Sequence, residues 1–347
     1  MVPASSGTYF GQPMTAGHIY TVAGDGSFGL SGNGGLATRA ELAGVGGVAV
    51  DAAGNLVIAD SLNSRVRVVA ASSGTFYGQP MTTGHIYTVA GGGQRRASGV
   101  PAKRAYLPAP DGLAIDGSGN LVIAEHDGCD VAVVAQSNGT FYGQAMTTGN
   151  LYIVAGNGSC SPYGGDGGPA LDAAFVPTGL AVDGHGNLII DDTEDARIRV
   201  VAASPGTFYG QPMTAGDIYT VAGDGTDGFS GDGGPGTAAE IDTDSSNFLC
   251  GGVAVDAAGN LLIADTFNYR VRVVAASSGT FYEQPMTAGD IYTVAGGGGA
   301  NGRGDGGPAT SAGFANPVFV AVNPAGDLLI SDRNDARVRM VTGGPTG

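Results

Sequence analysis

Residues 47–69 read GVAVDAAGNLVIADSLNSRVRVV, and this stretch recurs four more times without gaps. The other copies are GLAIDGSGNLVIAEHDGCDVAVV (112–134), GLAVDGHGNLIIDDTEDARIRVV (179–201), GVAVDAAGNLLIADTFNYRVRVV (252–274) and FVAVNPAGDLLISDRNDARVRMV (319–341). Successive copies start 65 to 73 residues apart, and a second motif, IYTVAG or LYIVAG, begins at positions 19, 86, 151, 218 and 291. A repeat of this length indicates one supersecondary unit per copy.

The pattern within one repeat is that of short strands separated by turns. Val48 to Val50 is an apolar inner strand, and the turn that follows contains Gly54, which is free to take a positive φ. Leu56 to Ala59 is a second strand, and Arg65 to Val68 alternates polar and apolar residues as a half-exposed third strand does. Ile86 to Val89 supplies the fourth. Four antiparallel strands in each of five units predict an all-β fold, a five-bladed β-propeller spanning 1–347 as a single domain.

The two ends of the chain have complementary phases. The sequence begins at the close of a third strand and ends at the same point, Val341. Residues 19–23 carry the fourth-strand motif without the three strands that should precede it. We therefore expect this segment to pair with the C-terminal blade and to close the ring, which would remove two exposed sheet edges.

The repeat resembles the NHL repeat, whose signature is a glycine-led inner strand, Asp-x-x-Gly-Asn, Ala-Asp and a downstream Asn-x-Arg. The segments GDGGPA at 165 and 304 and GDGGPG at 231 are similar to those of bacterial NHL arrays. The resemblance implies a propeller, commonly of six blades, so a count of five departs from the family's habit. It also implies protein or RNA binding or extracellular sensing, although a few propeller relatives are lyases or lactonases.

Composition excludes several classes of function. The chain has 15 basic and 31 acidic residues and a net charge of −16, which repels phosphate backbones and makes nucleic acid a poor partner. No apolar run reaches the roughly 18 residues of a membrane-spanning helix. The start, MVPASSGTYFGQ, lacks the basic and apolar regions of a signal peptide. We expect a monomeric, secreted or otherwise extracytoplasmic protein.

A carboxylate ends every second strand, and it has two interpretations. These residues are Asp60, Glu125, Asp192, Asp265 and Asp332. They are either a ring of ligands or turn-forming groups that pair with the arginine five residues on. The second reading is favoured because that arginine recurs in four blades, as Arg65, Arg197, Arg270 and Arg337.

Blade two departs from the repeat and is the candidate ligand site. Its second turn reads Glu125, His126, Asp127, Gly128, Cys129 and Asp130, so that Asp130 replaces the repeat arginine. The loop that leads into this blade collects Arg95, Arg96, Lys103, Arg104, Tyr106 and Asp111. Loop and turn are expected on one face, and Thr178 lies just before an inner strand, at the expected axial mouth. A local break in consistency often marks a site, although drift in surface loops is the plain alternative.

Metal and catalytic signals are weak. Asp166, Asp232 and Asp305 lie in glycine loops that could hold calcium, but the same residues also begin a short helical turn. The four histidines are dispersed, so no zinc site and no serine triad is expected. The leading interpretation is a module that binds a protein or a small polar ligand, without a cofactor. The alternative is a propeller enzyme, a lyase or hydrolase, with a pocket near blade two.

Three cysteines are too few for a disulfide scaffold and lack metal spacing. Cys129 lies in a turn of blade two, and Cys160 lies in the loop that leaves the fourth strand of that blade. We expect these two to form a disulfide and Cys250 to stay free; reduced cysteines in a cytosolic repeat are the alternative.

Overall fold

A computed structural model of the chain describes residues 1–243, 252–300 and 302–345. Five antiparallel sheets, one for each repeat, form the blades of a five-bladed β-propeller, as the repeat predicts. The helices of the described residues are all single 3-10 turns. The chain divides into two compact units, Met1–Val154 and Ala155–Gly347.

The first unit contains blades one and two. The strands of blade one are Val45–Val50, Leu56–Asp60, Arg65–Val69 and Ile86–Gly91. Those of blade two are Pro110–Ile115, Leu121–Glu125, Asp130–Val134 and Asn150–Ala155. Valine, leucine and isoleucine side chains of the middle strands form the core of this unit, as the apolar runs predict.

The second unit contains blades three to five. Blade three has Pro177–Val182, Leu188–Asp192, Arg197–Val201 and Asp217–Ala222, and blade four has Val253–Val255, Leu261–Asp265, Arg270–Val274 and Asp290–Gly296. Blade five has three strands among the described residues, Pro317–Val322, Leu328–Asp332 and Arg337–Val341. Two apolar clusters lie between the sheets of this unit.

Short elements complete the repeat. Three-residue hairpins occupy Gly7–Tyr9 with Gln12–Met14, Gly74–Phe76 with Gln79–Met81, Gly139–Phe141 with Gln144–Met146, Gly206–Phe208 with Gln211–Met213, and Gly279–Phe281 with Gln284–Met286. Two-residue strands at Val100–Pro101, Gly168–Pro169 and Gly234–Pro235 pair with fourth strands. The 3-10 turns are Ala37–Arg39, Ser61–Asn63, Ala102–Arg104, His126–Gly128, Ala170–Asp172, Thr193–Asp195, Gly236–Ala238, Thr266–Asn268 and Ala309–Ser311.

The Asp-x-x-Gly-Asn motif builds the turn between the first two strands. Asp51 Oδ1 accepts hydrogen bonds from the amides of Ala53 and Asn55, and Asp51 Oδ2 accepts one from Asn55 Nδ2. Asn55 Oδ1 in turn accepts the amide of Ala71, which follows the third strand. Gly54 lies at φ +81, a left-handed conformation that glycine adopts without strain. The motif therefore joins three strands through buried polar groups that are all satisfied.

The expected closing strand is corrected by the structure. Residues 19–23 form no strand, and the side chain of Ile19 is 82% exposed. The amide of Tyr20 instead donates to the carbonyl of Met1 at 2.8 Å, and the amino terminus of Met1 donates back at 2.7 Å. Because these local bonds use the backbone groups of Tyr20, that residue has none left for a sheet ladder.

The third strand of blade five, Arg337–Val341, pairs within the described residues only with the second strand of its blade. A cavity of 1120 Å³ lies beside it, where the other blades carry a fourth strand. The side chains of Val338 and Met340 are 73% and 57% exposed. In the described part of the chain, no helix has the length and apolar character needed to cross a membrane.

Candidate functional site

The carboxylate that ends the second strand is a structural group in blade one. Asp60 Oδ1 accepts the amide of Ala43 at 2.7 Å and Asn63 Nδ2 at 2.8 Å. Its ion-pair partner is Arg67, whose Nη1 lies 3.8 Å from Asp60 Oδ2. The structural interpretation of this carboxylate therefore fits its contacts, but the arginine is the one seven residues on, not Arg65.

The same correction applies to blades three and four. Arg199 Nη1 lies 3.7 Å from Asp192 Oδ2, and Arg272 Nη1 lies 3.6 Å from Asp265 Oδ2. Burial explains the choice, since these arginines lie mid-strand with no exposed side-chain surface. Their remaining donors are satisfied there by loop carbonyls. The arginine five residues on opens the strand and is partly exposed; Arg337, for example, pairs with Asp335 at 2.7 Å.

The aspartates of the GDGGP loops bind the same set of mid-strand arginines. The shortest distances are 2.8 Å for Asp166–Arg199, 2.7 Å for Asp232–Arg272 and 2.7 Å for Asp305–Arg339. The described residues contain no group of three or more histidine, cysteine, aspartate or glutamate side chains placed to hold a metal ion. Arginine pairing thus accounts for these carboxylates, and their calcium role stays a prediction.

Blade two replaces this arrangement. Asp130 and Ala132 stand where the other blades have two arginines, and the positive charge comes from the loop instead. Arg96 Nη2 donates to Asp130 Oδ2, and Arg96 Nε lies 3.9 Å from Glu125 Oε2. The Arg96 side chain is 32% exposed, whereas both carboxylates are buried. The break in the repeat is therefore compensated from a surface loop, and Glu125 keeps a cationic neighbour.

Glu125 has lost the other partners that its counterparts keep. Pro108 occupies the position of Ala43 and has no N–H to donate, and Gly128 occupies the position of Asn63. A Cβ on Gly128 would lie 2.8 Å from Glu125 Cβ, so glycine makes room for the longer side chain. Glu125 Oε2 is buried and accepts no hydrogen bond from the described residues. Burial therefore raises the pKa of Glu125 to about 8, with Arg96 opposing the shift.

Three further predicted residues lie beside Glu125. Burial raises the pKa of Asp111 to about 6, and the nearby His126 opposes that rise. His126 Nδ1 lies 3.1 Å from Asp127 Oδ1, and both side chains reach solvent. Arg96, Asp111, Glu125, His126, Asp127 and Asp130 are called the blade-two cluster below. It combines a partly exposed cation and histidine with two acids, Asp111 and Glu125, whose pKa values are raised by burial.

The structure leaves the other predicted residues outside this cluster. Arg95 and Arg104 are exposed on the loop, and the carbonyl of Arg95 accepts the amide of Tyr106 at 2.9 Å. Lys103 Nζ donates to Gln79 Oε1 at 3.2 Å, on the hairpin of blade one. Thr178 belongs to the second unit, where it is buried with its Oγ1 against that of Thr193.

Sequence reasoning missed Asp191. This residue is fully buried in the second strand of blade three, and burial raises its pKa to about 7. Its Oδ1 accepts the hydroxyl of Thr243 at 3.0 Å, while its Oδ2 has no partner among the described residues. The signal was present, because blades one, two and four have alanine at this position of the repeat.

The cysteines bear on the compartment. Cys129 and Cys160 are both disulfide-bonded, and Cys250 lies outside the described residues. The pairing of Cys129 with Cys160 and the free thiol of Cys250 stay predictions. Peptide mapping under non-reducing conditions tests both: three alkylatable thiols would contradict the pairing, and a blocked Cys250 would contradict its free thiol.

Comparison with known proteins supports the fold. No protein-family model matches the chain. It is similar to human Teneurin-1, with 30% identity over 158 residues, which is 43% of this chain and 5% of that protein. It is similar in structure to an auxiliary nutrient binding protein from Bacteroides ovatus, with a TM-score of 0.55, 14% identity and coverage of 87% of this chain and 60% of that one. A second auxiliary nutrient binding protein, from Bacteroides thetaiotaomicron, has a TM-score of 0.54 with the same identity and coverage. The chain thus spans 60% of the length of these two structures and a small part of Teneurin-1, and the structural likeness concerns the fold alone.

Proposed function

We propose that this chain is an NHL-type propeller module that binds a small polar ligand at the blade-two cluster. The observation that carries the proposal is the replacement of the mid-strand arginine by Arg96, a residue of a surface loop, above a buried carboxyl with an unpaired oxygen. Binding residues are commonly placed on loops that a rigid scaffold holds in position. Perturbed acids with partly exposed neighbours are also a common mark of ligand sites.

The charges of the cluster indicate the chemistry of the ligand. Asp127 offers carboxylate oxygens at the surface and Asp111 is half-buried, while Arg96 and His126 are accessible nitrogen groups. Asp130 is buried against Arg96, so much of that positive charge is already neutralised. The site therefore favours a ligand that carries hydrogen-bond donors, such as an amino sugar or a polyol, over an anionic one.

Two observations are consistent with an extracytoplasmic binding protein. The nutrient binding proteins that share the fold are, by their names, ligand-binding proteins. Disulfide-bonded cysteines persist mainly in oxidising compartments. The titration described next tests the class of ligand.

Calorimetric titration with glucosamine, glucose and gluconate tests the proposal, because these probes share a skeleton and differ in charge. We expect glucosamine to bind most tightly and gluconate most weakly. The Asp127→Asn variant should weaken glucosamine binding at least about tenfold. Glu194→Asn changes an exposed acid at the same repeat position in blade three and is the matched control. Equal affinities for the three probes, or equal losses in the two variants, would contradict the proposal.

The runner-up is an enzyme, and one observation favours it. Glu125, with a pKa of about 8, and the adjacent His126 are a plausible acid–base pair for a lyase or hydrolase. Incubating the protein with each bound probe and analysing the products by mass spectrometry separates the two functions. Conversion that is lost in Glu125→Gln would establish the enzyme, whereas unchanged ligand would favour the binding module.

A further inference from the structure

Blade one contains a cavity of 460 Å³ with an unusual lining. Its charged side chains are Arg65 and Lys103, and its polar ones are Ser31, Asn33, Gln79 and Thr88. No carboxylate of the described residues lines it, although acids outnumber bases 31 to 15 in the chain. We call this cavity the blade-one pocket.

One residue of the glycine loop lacks in blade one the charge that it carries in blades three and four. Asp166 and Asp232 each accept hydrogen bonds from Nε and Nη2 of a buried arginine, Arg199 and Arg272 respectively. Asn33 occupies the same place in blade one. It keeps one role of the aspartate, since its Oδ1 accepts the amide of Thr88 at 2.6 Å as Asp166 Oδ2 accepts that of Thr220 at 3.2 Å. It does not supply the negative charge.

Two arginines of blade one are left incompletely paired. Arg67 Nε is buried without a hydrogen-bond partner among the described residues, in contrast to Nε of Arg199 and Arg272. Arg65 Nε is likewise buried and unpaired among the described residues, as is Nε of its blade-four counterpart Arg270, and Arg65 lines the pocket. An unsatisfied buried donor costs more when it belongs to a charged group, so the site is poised to accept an acceptor from outside.

A second difference opens the space next to Arg65. In blade four the ring of Phe229 lies 3.7 Å from the guanidinium of Arg270, and in blade three Tyr163 lies 4.0 Å from that of Arg197. Blade one has Leu30 at this position, which lines the pocket and cannot make a cation–π contact. The guanidinium of Arg65 therefore keeps a face that its counterparts have covered.

Blades four and one differ in how many of their cations have a carboxylate partner. In blade four the charges of Arg270 and Arg272 are matched by Asp232 and Asp265. In blade one Asp60 is the one carboxylate of the described residues that forms an ion pair with Arg65, Arg67 or Lys103, so these cations are in excess over their ion-pair partners. This local excess is found in a chain whose overall charge is −16.

We propose that the blade-one pocket binds a small oxyanion, a carboxylate or a phosphate-type group, where aspartate stands in blades three, four and five. The planar guanidinium of Arg65 suits two oxygens of such a group, and Lys103 adds a point charge. The volume suits a small molecule rather than a polymer. The site is separate from the blade-two cluster and has the opposite charge preference.

The test is calorimetric titration with acetate, phosphate and sulfate at constant ionic strength, with chloride as the background anion. In a second series at increasing chloride concentration we expect the binding to weaken, because Arg65 and Lys103 both reach solvent. Acetate and the two tetrahedral anions are the arms that distinguish a carboxylate ligand from a phosphate-type one. Absence of binding by all three anions would overturn the proposal.

The decisive variant is Asn33→Asp, which restores the residue of the other three loops and is therefore expected to fold. Its own carboxylate should fill the site, weaken anion binding at least about tenfold and raise the melting temperature. Lys103→Gln should also weaken binding without a gain in melting temperature. Asn157→Asp, the same change of residue at an exposed loop position of the second unit, is the matched control and should leave anion affinity unchanged. Unchanged affinity in Asn33→Asp would overturn the proposal.

Discussion

Blades two and four share a backbone register and differ in where their positive charge originates. Glu125 pairs in register with Asp130, as Asp265 pairs with Arg270. In blade four the carboxylate is served by an amide, by Asn268 and by Arg272 of its own sheet. In blade two Arg96, a residue of a surface loop, is the cationic neighbour of the carboxylate. One backbone therefore tolerates two solutions, an arginine of the same sheet in blade four and an arginine of a surface loop in blade two.

Removing the arginine that serves the carboxylate should cost the most unfolding free energy in blade four. Arg272→Met leaves the buried Asp265 and its neighbour Asp232 without their cation, so the free energy of unfolding should fall by about 3–5 kcal/mol. Urea unfolding measures it. Arg270→Met is the control, because it loses chiefly a cation–π contact and should cost about 1 kcal/mol. Equal losses of unfolding free energy in the two variants would contradict the assignment of Arg272, and not Arg270, as the partner of Asp265.

The corresponding change in blade two should cost less. Arg96→Met removes one cation that is already partly exposed, and we expect a loss of about 1–3 kcal/mol in unfolding free energy. The loss should grow above pH 8, where Glu125 ionises and lacks its counter-charge. Arg95→Met, on the same loop, is the control. A loss as large as that of Arg272→Met would mean that loop and strand arginines are equivalent.

Glu125→Gln sharpens the comparison through pH. The folded-state pKa of Glu125, about 8, lies above its ordinary value of 4.5, so the folded protein binds the extra proton between these values. Its stabilising contribution is fully present below pH 4.5 and is lost as the pH rises towards 8. Unfolding free energies at pH 6 and pH 7 should therefore differ less in Glu125→Gln than in the parent, by about 1 kcal/mol. An identical pH dependence in the two proteins would show that Glu125 is ionised throughout.

The smallest effect is expected where the carboxylate is most exposed. Asp305 pairs with Arg339 but its side chain is 70% exposed, whereas that of Asp232 is 35% exposed. Asp305→Asn should change the unfolding free energy by less than about 0.5 kcal/mol because solvent screens the pair. Asp232→Asn should cost more in the same urea titration. The reverse order would remove burial as the explanation of which pairs matter.

The strands and turns could be predicted from sequence because each repeat encodes them locally. The aspartate, glycine and asparagine of residues 51–55 specify a turn that needs no distant contact. The arginine partners could not be predicted in the same way. Arg65 and Arg67 lie on one face of a strand, and only their burial in the folded sheet decides which one pairs with Asp60.

Other parts of the candidate site depend on contacts that no local pattern encodes. Arg96 reaches Asp130 from a loop 34 residues away. The sequence of that loop does not show which way the loop folds, so this contact could not be predicted. Residues 19–23 have the sequence of a fourth strand, yet the backbone amide and carbonyl of Tyr20 bond to Met1. Asp191 was within reach of sequence reasoning, since comparing the repeats position by position isolates it as the one acid at an alanine site.

The third strand of blade five, Arg337–Val341, has one edge without a partner strand among the described residues, and this edge has a consequence for the behaviour of concentrated solutions. A free sheet edge with exposed apolar side chains is a template on which another chain can add a strand. A net charge of −16 keeps copies of this protein apart at low ionic strength. Salt shortens the range of that repulsion to about 8 Å at 0.15 M. Charge repulsion between copies of the protein thus opposes association through the open edge. Light scattering should show association that rises with added salt.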